Sequence, residues 1–147
     1  MNYDILIADI ATAMKAKENE KVLALRSLLS MIKNVCIDKG VKEPSEDLFI
    51  STVQKAIKQR QDSIELFSKA NRFELVEVEK KQMEWISSYL PSQLSEEEVE
   101  KIVLETIESE QATSKKDMGK VMKVLNVRLK GVADMKKVGA FIQTKLG

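Results

Sequence analysis

The sequence predicts an all-α protein, with an N-terminal four-helix region followed by a small three-helix C-terminal tail. Three observations carry this reading. Gly is 5 and Pro 2 in 147 residues, too few for a β-sandwich, which needs turn residues roughly every 8–12 positions. Apolar residues recur at helical spacing rather than in alternation. Cap residues stand where the periodic stretches begin and end: Ser45, Ser95, Ser114 and Asp134 at starts, Gly40 and Gly131 at ends. A hydrophobic content of 44% is enough for one core or two small ones.

With about 100° per residue, the elements follow in order. Residues 2–17 place Tyr3, Leu6, Ile7, Ile10 and Met14 on one face, with Asp9, Thr12 and Lys15 outside it. Residues 20–39 align Leu25, Leu28, Leu29, Ile32 and Cys36. Residues 46–69 align Phe49, Ile50, Val53, Ile57, Ile64 and Phe67, and Asn71 can take the left-handed conformation that breaks the chain there. Residues 72–90 carry Leu75, Val78, Met83, Trp85, Ile86 and Tyr89, and Pro91 ends them. Ser95 and Glu98 read as a capping box opening a fifth helix to about residue 110, with Val99, Ile102, Val103 and Ile107 inward. Ser114 opens a sixth, with Met118, Val121, Met122, Leu125 and Leu129 buried, and Asp134 a seventh, with Met135, Val138, Ile142 and Leu146 on one face. The segment around Pro91 is the clearest boundary, giving domains at 1–92 and 93–147.

Several function classes drop out. Without histidine there is no His-based acid/base catalysis or His metal site. One cysteine excludes an internal disulfide and a multi-Cys metal site. Glu96–Glu98 point in different directions on a helix and do not converge on an ion. No glycine-rich phosphate loop or zinc-protease motif occurs, so neither cofactor nor metal is expected. No stretch approaches the roughly 18 apolar residues of a membrane span. MNYDILIADI lacks a basic n-region and does not read as a signal peptide. The expectation is a soluble cytoplasmic protein.

Cys36 lies in an apolar stripe with no base to activate it and reads as a small buried hydrophobe. Ser87 and Ser88 near Lys80 and Lys81 lack the glycine-rich setting of a Ser–Ser–Lys amidase. Arg60 falls inside the apolar stripe of the third helix. It reads either as a structural arginine paired with an acid of another helix or as an anion-binding arginine in a crevice. Lys116, Lys120, Lys123 and Lys130 fall within about 80° of one another, opposite the Met118/Leu125 stripe. They form either a solvated outer face or a phosphate-facing ridge, which Lys136, Lys137 and the Gly131 turn would extend. Residues 111–147 contain one aromatic, Phe141. Nucleic-acid binding there would read backbone and shape, as in structured RNA, and depend strongly on salt.

The net charge of +1 conceals a polarised tail. Residues 1–92 carry 14 basic and 14 acidic side chains, 93–110 carry 1 and 7, and 111–147 carry 9 and 2. The acidic fifth helix either neutralises the basic end by lying beside it or leaves a basic surface exposed.

The segments KQRQDSIELF (58–67), KANR (69–72), YLPSQLSEEE (89–98), KDMGKVMKVL (116–125) and KGVADMKKV (130–138) together resemble the YqeY family over essentially the whole chain. The resemblance implies a small all-helical protein. Its C-terminal three-helix part is similar to the tRNA-contacting tail domain of the B subunit of tRNA-dependent amidotransferases. It also implies a carbon–nitrogen ligase role with glutamine as amido donor. In those enzymes, however, glutamine hydrolysis belongs to another subunit and the ATP-dependent step to a larger domain, and neither part is present in these 147 residues. The resemblance transfers an RNA-binding role to Lys116, Gly119, Lys120 and Lys123, with Gly131 and Asp134 in the turn. Met135 stands where the family more often has glycine, which stiffens the turn. The expected partners are tRNA and an amidotransferase or synthetase component, with catalysis outside this chain. The alternative is a protein-interaction adaptor unrelated to RNA, using a groove near Arg60.

Overall fold

Seven α-helices build the computed structural model, which describes residues 2–146; no strand occurs among the described residues. They are α1 (Asn2–Lys15), α2 (Asn19–Lys39), α3 (Glu46–Lys69), α4 (Phe73–Ser87), α5 (Glu96–Ser109), α6 (Met118–Arg128) and α7 (Met135–Lys145). A 3₁₀ turn, Lys115–Asp117, leads into α6. One compact unit ends at Leu90 and the next starts at Pro91, so α1–α4 belong to the first and α5–α7 to the second.

Helix ends follow from local chemistry. Ser45 Oγ accepts from Leu48 N–H and Ser95 Oγ from Glu98 N–H, so each serine satisfies one orphan donor of its helix. The Glu98 side chain makes no return bond, so only half of the expected box forms at Ser95. A carboxylate returns to the N-cap backbone further along, where Asp117 accepts from Thr113 and Ser114 N–H. Five turns pass through left-handed backbone: Lys17, Gly40, Asn71, Gln111 and Gly131. Gly40, Asn71 and Gly131 suit that geometry. Lys17 and Gln111 have no such preference, which is why the ends of α1 and α5 were less legible.

In the first unit, Leu6, Leu25, Leu28, Ile32, Phe49, Val53 and Ile86 are buried together. The α1 stripe is narrower than its composition suggested: Tyr3, Leu6, Ile10 and Ala13 are buried, while Ile7 and Met14 are exposed. On α4 it is Val76 that is buried, and Val78 faces out. Asp9 is half-buried, because Tyr89 Oη donates to its Oδ2 at 2.5 Å. That bond ties α1 to the turn after α4, and burial together with the adjacent carboxylate raises the Tyr89 hydroxyl well above its usual pKa. The ring packs edge-on against Phe49 with centroids 6.3 Å apart. Tyr89→Phe keeps the ring contact and removes the hydrogen bond to a charged acceptor. It is expected to lower stability by about 1.5–3 kcal/mol in urea unfolding.

Candidate functional site

The second unit is organised by a short strap, residues 91–94. Leu94 N–H donates to Val132 O at 2.9 Å. Gln93 Nε2 donates to Pro91 O at 2.9 Å and to Gly131 O at 2.7 Å. These bonds fasten the turn between α6 and α7, where Gly131 takes φ 74°. Val103, Val121, Leu125, Leu129, Val138, Ile142 and Leu146 close the core of this unit. With one face of α6 buried by Val121 and Leu125, its opposite face must point outward.

The lysines fall on that outer side, but not as one unbroken row. Lys120 and Lys123 lie within α6. Lys116 sits in the 3₁₀ turn, and Lys130 lies beyond the last residue of α6. The ideal wheel therefore does not run from 116 to 130, because the Asp117 bonds tighten the entry and the Gly131 turn ends the helix early. Lys116, Lys120, Lys123, Lys130, Lys136 and Lys137 are all exposed. Gly119 is exposed, with nothing within 4 Å of where a Cβ would stand. Gly131, by contrast, is buried, and its carbonyl is taken by Gln93. It serves the turn rather than offering backbone to a ligand. Lys137 separates from the others by lining a hollow with Glu96, Glu100 and Asp134. Met135 is the first residue of α7 and packs against the core, so the turn's left-handed position is Gly131 alone.

Helix α5 neutralises part of the basic end. Lys120 Nζ donates to Glu110 O at 2.9 Å and lies 3.8 Å from Glu110 Oε2, at the negative end of the α5 dipole. Arg128 lies 3.8 Å from Glu105 Oε2 and donates to the buried Thr106 Oγ1 at 2.9 Å. Sequence reading passed over Arg128 and Gln93, since nothing in their spacing signals these contacts. The backbone donors of Thr113 and Ser114, with Lys120 nearby, hold the Asp117 carboxyl below its usual 3.8.

Arg60 is buried as expected, at 7% exposure, but neither expected setting is found. Its guanidinium donates to Ala56 O at 3.1 Å and to Ser27 Oγ at 3.4 Å, and Nε has no partner. Among the described residues no carboxylate forms an ion pair with it. Glu79 acts only at longer range, and burial lowers the Arg60 pKa. Cys36 is a buried free thiol in the core of the first unit. Among the described residues no acidic or Cys group is placed to hold a metal ion, and no helix is long and apolar enough to cross a membrane.

The family described as Yqey-like protein matches residues 4–146. The chain belongs to the YqeY family. Its relatives include proteins named "Altered inheritance of mitochondria protein 41, mitochondrial" from three yeasts. The Lachancea thermotolerans protein is 44% identical over 82 residues, covering 56% of this chain and 44% of the relative. The Vanderwaltozyma polyspora protein is 34% identical over 116 residues, covering 75% and 63%. The Saccharomyces cerevisiae protein is 38% identical over 86 residues, covering 58% and 46%. The chain thus spans about half the length of most of these YqeY relatives. Their names overturn the expectation of a cytoplasmic location, because composition and the absence of a membrane-length apolar stretch do not report a compartment.

Two outcomes follow from this geometry. Arg60→Met keeps the packing of the stem and removes a buried, incompletely bonded charge. Its unfolding free energy should equal that of the wild type or exceed it by about 1–4 kcal/mol. The Asp117 carboxylate has a depressed folded pKa, so its support is present above the unfolded value and is lost as pH falls through the folded one. Protection of the Thr113 and Ser114 amides, taken relative to their intrinsic exchange rates, should therefore weaken as pH falls below 3.8.

Proposed function

We propose that this chain is a tRNA- or structured-RNA-associated accessory protein. In this reading it assists glutamine-dependent carbon–nitrogen ligation while a partner amidotransferase or synthetase component carries the chemistry. The observation that supports it is the exposed cationic surface of the 3₁₀ turn, α6 and the start of α7. Lys116, Lys123 and Lys136 are exposed there with no acid inside α6, and Lys120 adds to the field although Glu110 holds it.

The chemistry of this surface suits phosphates. It offers ammonium groups and an open backbone stretch at Gly119, but no stacking platform, since Phe141 lines the hollow beside α5. Recognition by lysines without aromatics reads RNA through phosphate and 2′-hydroxyl positions rather than base identity. The tail-domain likeness stated from sequence supports the same surface. The alternative, an adaptor using a groove near Arg60, draws less support, because that guanidinium is buried against Ala56 and Ser27.

Salt-titrated binding to total tRNA tests this. Log affinity should fall linearly with log salt, and Lys116→Ala with Lys123→Ala should flatten the slope by about 1–2. Lys81→Ala in the first unit should leave it unchanged. Absence of binding at low salt, or an unchanged slope in the double variant, would overturn the reading. Gly119→Ala should raise stability by about 0.5–1 kcal/mol, as expected inside a helix with open space. If RNA approaches that backbone closely, the same variant binds more weakly while melting higher.

A further inference from the structure

The acidic charge of the tail is not all spent on its lysines. Glu110 meets Lys120 at one end of α5, and Glu96 and Glu100 lie toward the other, about 15–20 Å away at the helical rise. There they border a hollow of about 290 Å³ within the second unit. Its apolar wall is Leu94, Val99, Val132, Val138 and Phe141, and Asp134 and Lys137 complete the rim. On α5, Glu96, Val99 and Glu100 share one face by their i, i+3, i+4 spacing, and on α7 Phe141 neighbours both Lys137, four residues before it, and Val138, three before it.

Three rim carboxylates face one ammonium, and neither Glu96, Glu100 nor Lys137 takes part in an ion pair within 4.0 Å among the described residues. Two helix N-termini reach this hollow, but they do not make it an anion site. One first-turn donor of each is taken, Glu98 N–H by Ser95 Oγ and Lys136 N–H by Asp134 Oδ1, and the carboxylates beside them repel anions. The volume lies at the small end of ligand pockets. It fits one large apolar side chain better than a nucleotide.

The geometry points to a peptide-docking site here: a partner protein's segment places an apolar side chain on the Leu94, Val138 and Phe141 wall, and its flanking arginine or lysine meets Glu96 and Glu100. Charge complementarity selects this occupant. The same rim repels RNA, so the acidic hollow and the lysine surface serve different partners, and one tail can hold both at once. The inference is independent of the RNA reading.

The test uses the full chain and a short synthetic peptide in which arginine alternates with leucine and phenylalanine. Backbone amide resonances are followed by NMR at physiological salt. The peptide should shift Leu94, Val132 and Phe141. Glu96→Gln with Glu100→Gln should weaken it about threefold to tenfold, as loss of two exposed ion pairs implies. Lys137→Ala should tighten it. Circular dichroism checks that both variants keep their helices. The site is disproved if the peptide leaves these resonances unmoved or if the double glutamine variant binds as well. Equal binding of a peptide with glutamate for arginine, or serine for the apolar residues, also overturns it.

Discussion

The strap of residues 91–94 is the constraint on which the second unit depends. Gln93 has two amide hydrogens and gives one to Pro91 O and one to Gly131 O. Leu94 N–H adds a third bond to Val132 O. Without the strap the carbonyl of the buried Gly131 would lose its partner, at a cost comparable to a lost hydrogen bond. By fastening this turn to the chain just before α5, the strap fixes the start of α7. That places Val132, Ala133 and Asp134 beside Glu96 and Val99, and so forms the hollow. The same turn terminates α6, and so decides which lysines are helical.

Charge in the tail is arranged by helix direction as much as by count. The first turn of α5 carries Glu96, Glu97 and Glu98 at the positive end of its dipole. Its far end receives the ammonium of Lys120. Each pole is thereby compensated, yet the acids of the first turn remain remote from the lysines of α6. Near-neutrality of the whole chain is thus compatible with surfaces of opposite sign on one small unit.

Much of the fold was legible in the sequence. Seven helices, the left-handed Gly40 and Asn71, the glycine turn after α6 and the inward stripes of α6 and α7 follow from periodicity and cap chemistry. The misjudged positions share a cause. Ile7, Met14 and Val78 are apolar and in phase, but a helix buries only the stripe its neighbours cover. Asp9 is polar and out of phase, yet Tyr89 reaches it from a residue 80 positions away. The lysine surface was legible as a pattern, and its interruption at Asp117 was not, because a carboxylate bonding back to Thr113 and Ser114 changes the local helix type.

The sequence by itself determined the helical class, the family and the uneven distribution of charge. All three are written in residue order and need only local rules of spacing and capping. Tertiary structure alone decided what the charged residues face. It buried Arg60 against a carbonyl and a serine, tied Lys120 to the end of α5, and moved Lys137 to an acidic hollow. A side chain's electrostatic partners lie across the fold, often many residues away, and local sequence carries no term for that distance.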